Sequence, residues 1–318
     1  PVDSALLRFP EVSPEMSTAT ADSPTGTTGV DRVMTIARIE FVHGVRSTML
    51  RALLAALLGT TALVFWATER VADPSTLSAV GLLGLPLQLL VPVAAILIGS
   101  AAVSGERESG SLRLLLGMPP SRTEVVLGKL LGGGGLLVAG LGVTFGWALG
   151  VSLVAVGRVP VGPLAGLAVA TLLLGGAFLG LSVGVSAAVS TAKRSLAATF
   201  GAFLGVTFLW EPVVAGAHYL VTGSLPGAEV PGWLLFLDRS NPIEAYAVAS
   251  NMLGAAGVSS LRVSVGLLGT DPGATVAERI GRAVPVYLTD PVSLVVLLGW
   301  LVVPVVVGLA RFRRVDLA

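Results

Sequence analysis

Long stretches without Asp, Glu, Lys or Arg set the frame of this chain. They are Ala52–Thr68, Pro74–Gly105, Leu130–Gly157, Val159–Ala192, Ser195–Trp210 with a continuation past Glu211 to Ala228, and Pro291–Ala310. A bilayer core about 30 Å thick takes roughly 20 apolar residues of helix. Each run therefore holds one span, and none holds two spans and a turn. The pattern predicts an all-α polytopic membrane protein with six transmembrane helices, near residues 50–68, 78–101, 130–155, 163–190, 196–220 and 291–310. Pro86 and Pro92 fall inside the second helix and predict a kink there.

The flanking segments divide the chain further. Residues 1–30 are rich in Ser, Thr, Pro and acids without periodicity and are read as a disordered tail, with Met16 a candidate start. Residues 31–318 then form one transmembrane domain. In residues 31–48, Met34, Ala37, Phe41 and Val45 recur at helical spacing, with Arg32, His43 and Arg46 on the other side. This predicts an amphipathic helix lying in the membrane interface before the first span. The alternative is a cytosolic extension of helix one. The apolar run near Ala52 has no preceding basic-then-apolar leader pattern, so no cleavable signal is expected.

Charge bias orients the bundle. With the N-terminus in the cytoplasm, fourteen of the 20 Lys and Arg fall inside, including Lys193 and Arg194 in a short loop and Arg311, Arg313 and Arg314 in the tail. Both termini are then cytoplasmic. The largest outside piece, residues 221–290, carries five prolines; within it, Asn241 caps a short helix running to Asn251, and Trp233 to Phe236 suit a membrane surface.

Composition narrows the class. Apolar residues make up 53% of the 318 and charged residues only 12%, about half the share in soluble domains. The absence of Cys removes disulfides, thiolate metal sites and a cysteine nucleophile. A formal net charge of +1 points to no nucleic-acid partner. The excess of Arg over Lys hints at a GC-rich prokaryote, and hence at a plasma-membrane location. His43 and His218 fall on opposite sides of the membrane, so no metal site is expected.

One loop, residues 104–129, stands out. Glu106, Arg107 and Glu108 cluster at the end of a long apolar helix; Leu112, Leu114, Leu115 and Leu116 follow around Arg113; Met118, Pro119 and Pro120 break the chain. Ser121 and Glu124 fit a capping box that starts the next helix, and Lys129 marks where it enters the membrane. The leucines need burial, either in a partner's groove or against this chain and its lipid.

The run Gly105-Glu106-Arg107-Glu108-Ser109-Gly110-Ser111-Leu112-Arg113-Leu114-Leu115-Leu116, then Pro119-Pro120-Ser121-Arg122 and Gly128-Lys129, resembles the signature loop of the type-2 ABC export permeases. It is similar in particular to the branch containing permeases of nitrous-oxide-reductase maturation transporters. Pro120 stands where that pattern prefers Val or Ile. Asn241, Pro242, Glu244 and Tyr246 lie in an extracytoplasmic stretch that also resembles the branch. The resemblance implies that two permease subunits pair, as homodimer or heterodimer, and that each contacts a separate ATP-binding subunit, which holds ATP and Mg. Residues 106–117 would form the coupling helix in the ATPase groove. On this reading Glu106, Arg107, Glu108, Gly110, Leu112 and Arg113 couple to the ATPase, and Pro119, Arg122, Glu124 and Lys129 frame the loop.

The chain itself is not expected to be an enzyme. Gly128-Lys129 is followed by Leu130, so the phosphate-loop pattern fails, and neither His has a Ser/Asp setting. Two glycine rows have four-residue spacing: Gly142, Gly146 and Gly150 in helix three, and Gly176, Gly180 and Gly184 in helix four. Ordinary intramembrane packing is the favoured reading, a sliding or subunit interface the sharper one. Glu211 is an acid in an apolar stretch. Its neighbours Trp210 and Pro212 favour ending helix five there, with a re-entrant piece after it. The scarcity of polar groups in the spans favours an apolar or lipid-like cargo. Two other classes stay open: an ion-coupled secondary carrier, whose transport would persist without ATP, and a non-transporting scaffold, which would bind a partner at the loop without stimulating an ATPase.

Overall fold

The computed structural model describes residues 28–70, 76–108, 121–157, 159–269, 275–281 and 283–314. Among these, every regular element is helical. In chain order they are α1 (Gly29–Arg46), α2 (Thr48–Thr68), α3 (Thr76–Gly99), α4 (Ser104–Glu108), α5 (Arg122–Val156), α6 (Val161–Ala188), α7 (Ala192–Leu204), a π-helical turn (Gly205–Leu209), α8 (Trp210–Thr222), α9 (Gly232–Arg239), α10 (Pro242–Met252), α11 (Val276–Ile280), a 3-10 turn (Val286–Leu288) and α12 (Val292–Arg314). Six helical stretches are long and apolar enough to cross a bilayer: Thr48–Thr68, Ala79–Glu108, Arg122–Ala155, Val161–Ala188, Ala192–Thr222 and Val292–Arg314. Both prolines of α3 lie inside one continuous helix.

Local chemistry sets the ends. The Ser121 hydroxyl accepts from the Glu124 amide at 3.3 Å, and the Glu124 carboxylate accepts from the Ser121 amide at 2.6 Å. This capping box satisfies two amides that a helix start leaves open. α5 thus begins at Arg122, before its charge-free stretch. Ser47 serves two helices: its extended backbone (ψ 121°) ends α1, and its hydroxyl accepts from the Leu50 amide at the start of α2.

The long apolar helix α6 is the centre of the bundle, packed most extensively on α12 and also on α3, α5 and α10. Its approach to α12 is main chain to main chain. A Cβ at Gly180 would lie 2.2 Å from the Leu301 carbonyl oxygen, one at Gly184 2.2 Å from that of Pro304, and one at Gly308 2.1 Å from that of Gly184. Lipid tails give two helices no hydrophobic reason to associate, so close packing of small residues must supply the attraction. The row 176–184 does so here, with Gly176 at its looser edge, against Leu301.

The other row behaves differently. Gly142, Gly146 and Gly150 are exposed on α5, and a Cβ there would meet nothing within 4 Å. The glycines of α5 that do pack lie earlier. A Cβ at Gly128 would meet the Ile36 side chain at 2.7 Å, and one at Gly132 the Ala37 carbonyl at 2.6 Å. α1 therefore lies along α5. Its buried face is centred on Ala37, whereas Met34 and Val45, expected on the same face, are 57% and 51% exposed.

Of the two readings of the fifth span, a helix near 196–220 and one ending at Trp210, the second is overturned: the helix passes through the π-helical turn and continues to Thr222, with Glu211 fully buried. α10 packs on α6 and α12, and a Cβ at Gly166 of α6 would lie 2.1 Å from the Leu253 carbonyl at its end.

Candidate functional site

The bundle end that carries α4 holds the charges singled out in the sequence. Lys129, in α5, has a side chain only 9% exposed. Its ammonium donates to Glu40 of α1 at 2.7 Å and to Glu106 of α4 at 2.5 Å. One cation thus joins three helices. Arg32 of α1 adds a two-point contact to Glu124, 2.8 Å from Nη2 and 3.2 Å from Nε, the fork geometry in which guanidinium and carboxylate pair best.

The remaining groups tie α4 to the ends of α6, α7 and α12. The Ser186 hydroxyl accepts from the amides of Val103 and Ser104, at 3.1 and 3.0 Å. Arg107 donates to the Val189 carbonyl at 3.0 Å, and Glu108 accepts from the Ala192 amide at 3.0 Å. Arg107 and Arg122 both sit 5.2 Å from the Phe312 ring centroid, and Arg122 also donates to the Phe312 carbonyl. Arg313 donates to the Thr123 hydroxyl at 2.9 Å. The Nε and Nη2 of Arg107 are buried and find no partner among the described residues.

Six of the ten loop residues are placed. Glu106, Arg107 and Glu108 are in α4, and Arg122, Glu124 and Lys129 lie in the first two turns of α5. Gly110, Leu112, Arg113 and Pro119 lie outside the described residues. Sequence reasoning did not pair this end with Glu40, Arg32 or Phe312, which meet its charged side chains, or with Ser186, which accepts from its main chain. A signal for α1 was present: Gly128 and Gly132 share a four-residue spacing on the face where α1 lies.

At the opposite end the motif Asn241, Pro242, Glu244 and Tyr246 fastens the outer segment to the spans. Asn241 caps α10 through the amides of Ile243 and Glu244, and its Nδ2 donates to the Val206 carbonyl at 2.6 Å. That carbonyl belongs to the π-helical turn. The next one, of Thr207, accepts from the Val263 amide at 2.9 Å. Both serve the outer segment. Pro242 opens α10, where its missing amide costs no helix bond. Tyr246 is fully buried, with its hydroxyl 3.2 Å from that of Thr171 in α6.

Three more groups complete this end. Glu211 accepts from the amides of Val265, at 2.6 Å, and Leu268, at 3.2 Å. Gln88, buried in α3, donates to the Ser259 carbonyl and accepts from the Leu261 amide, at 2.8 and 2.9 Å. Arg262 pairs with Asp238 and reaches Glu244 at 3.8 Å. Burial alone would lower the Arg262 pKa; the facing Asp238 carboxylate, then Glu244, reverse this and hold it above its ordinary value. His218 Nδ1 lies 2.9 Å from the Ser224 carbonyl, and its ring stacks on Trp233.

The sequence profile described as "ABC-2 family transporter protein" matches residues 34–317. The chain is 33% identical over 222 residues to the probable ABC transporter permease protein NosY of Pseudomonas aeruginosa, covering 67% of this chain and 79% of the relative. It is 29% identical over 294 residues to the protein of the same name from Stutzerimonas stutzeri, covering 90% and 99% respectively. With six apolar helices long enough to cross a bilayer and a family match that runs from α1 into the tail, this chain belongs to the ABC-2 transporter family and is a multi-pass membrane subunit of an ABC transporter.

Proposed function

We propose that this chain is the transmembrane half of an ATP-driven exporter in the plasma membrane. Its α4 end faces the cytoplasm, where residues 104–129 meet a separate ATP-binding subunit that holds ATP and Mg. A second permease subunit completes the pathway. The observation that carries this reading is the Glu40–Lys129–Glu106 junction. The chain entering the loop is not a loose tether: α4 is bonded to α1 and α5 through Lys129, to α6 through Ser186 and Arg107, and to α7 through Glu108. A push on the loop therefore reaches most of the bundle at once. The charge bias that puts Lys193, Arg194 and the Arg311–Arg314 tail inside supports the orientation. Residues 109–117, four of them leucines, supply the apolar surface that a partner groove would cover.

The test is co-purification from the native membrane in mild detergent, with the wild-type chain and a Leu112→Asp/Arg113→Glu variant. Both changes lie beyond α4 and leave the Lys129 junction alone. The wild type is expected to bring down a P-loop ATPase, and the folded variant to lose it. Equal recovery of the ATPase with both chains would remove the loop from the interface. Recovery with neither, from a preparation in which the permease pair survives, would remove the ATP-driven reading.

A further inference from the structure

A cavity lies where α2 parts from α3 and α5, beside the Ser47 bend. Its volume is about 320 Å³ and it is open on one side. Leu54 and Leu57 of α2, Val91 and Ile98 of α3, and Leu137 and Val143 of α5 form its walls. Every residue lining it is apolar except Arg51. Such a space has too few polar partners to hold ordered water. Its size is at the lower end of the roughly 300–1,000 Å³ of ligand pockets, which suits one hydrocarbon chain.

The charge at the cavity says what kind of chain. Arg51 Nη2 folds back onto the Arg46 carbonyl and the Thr48 hydroxyl, at 3.3 and 3.2 Å. Those are the acceptors of a bend, not a counter-ion. Arg46, in the last turn of α1, is exposed. Neither arginine has a carboxylate within ion-pair distance among the described residues, whereas Arg32, in the same helix as Arg46, does. Arg51 lines the slot, and Arg46 directly follows Val45, which also lines it, so two guanidinium groups without a carboxylate partner belong to the segment that borders an apolar, half-open slot. An anionic headgroup on an acyl chain complements both parts.

We propose that this slot is a binding site for one anionic phospholipid, its tail between α2, α3 and α5 and its phosphate on Arg51 and Arg46. The tail fills the gap that separates α2, the span with the smallest buried share, from its neighbours. The site rests on the membrane fold alone, so its failure would leave the ATP-coupled reading untouched.

Native mass spectrometry of the full chain in mild detergent tests it, with dioleoyl phosphatidylglycerol and dioleoyl phosphatidylethanolamine as probes. The wild type is expected to keep one phosphatidylglycerol under activation that strips phosphatidylethanolamine. Arg46→Gln/Arg51→Gln is expected to cut that preference on the order of tenfold, while the neutral-overall lipid binds as before. Gly140→Leu enters the slot from α5, where a Cβ meets nothing within 4 Å, and is expected to abolish the retained phosphatidylglycerol. Ala94→Leu does the same from α3 and covers the case that Gly140→Leu does not fold. Equal retention of the two lipids by the wild type would overturn the charge recognition. An undiminished phosphatidylglycerol adduct in a folded slot-filled variant would overturn the site.

Discussion

The two ends of the bundle are closed by different chemistry. At the α4 end, long charged side chains meet one another across helices: Lys129 with Glu40 and Glu106, Arg32 with Glu124. At the opposite end, side chains fixed by burial grip main-chain groups of an irregular segment: Glu211 the amides of Val265 and Leu268, Gln88 residues 259 and 261, Asn241 the π-helical turn. The division is not absolute, since Ser186 binds amides at the first end and Arg262 pairs with Asp238 at the second. The balance still differs in kind. When the pairs of the α4 end separate, the carboxylates of Glu40, Glu106 and Glu124 keep a route to water, although Lys129, 9% exposed, has little. A buried amide stripped of its acceptor has none and costs its full desolvation. One end joins helices through side chains, the other ties an irregular segment to the spans through its main chain.

Breaking one latch at each end measures the contrast. Glu211→Ala leaves the buried amide of Leu268 without an acceptor, at about 1–3 kcal/mol, frees the part-buried amide of Val265 at a smaller cost, and unties the outer segment from the fifth span. It is expected to cause the largest loss of thermal stability in detergent, and to expose residues 259–269 to proteolysis. Lys129→Met leaves Glu40 and Glu106 facing each other. The expected loss is about 3 kcal/mol, toward the low end for a broken buried pair because both acids keep some water. Neutralising all three in Glu40→Gln/Lys129→Met/Glu106→Gln removes the repulsion and should recover most of that stability. Should the triple variant be no more stable than the single one, the junction is not electrostatic in the way described.

The glycine rows sharpen the comparison within the apolar layer. Gly184→Ala puts a methyl 2.2 Å from a main-chain oxygen of α12, so the two helices must part, at about 1–3 kcal/mol. Gly146→Ala meets nothing in this chain and should leave its melting temperature unchanged. A small loss is expected at the exposed edge of the α4 end. Arg32→Gln breaks a pair whose side chains are 28% and 16% exposed; the loss of stability should be slight, and most of it should vanish in high salt. A salt-independent loss there would place the pair in a drier setting than the structure gives it.

Much of this was legible in the sequence. Charge-free runs located all six spans, and the Ser121–Glu124 box located the start of α5 within its first turn. Spacing alone could not say what faces a small residue: Gly146 and Gly184 sit in identical patterns, yet one meets open space and the other a carbonyl. Glu211 was misplaced for a physical reason. Trp210 and Pro212 read as boundary residues, but Pro212 falls in the first turn after the π-helical turn, where its missing amide interrupts no regular α-helical bond. The loop's charges were legible, but their partners were not. Glu40 and Ser186 lie 89 and 82 residues from Lys129 and Ser104, and only the fold brings them together.

The central claim is that the Lys129 junction carries motion between the loop and the bundle, beyond merely stabilising it. The most direct measurement is the ATP hydrolysis rate of the assembled transporter in proteoliposomes, comparing the wild type with the Glu40→Gln/Lys129→Met/Glu106→Gln variant. That variant should keep its fold and its ATP-binding partner. If the junction transmits motion, the hydrolysis rate of this variant falls several-fold at equal subunit content. A wild-type rate from the neutralised junction would contradict it.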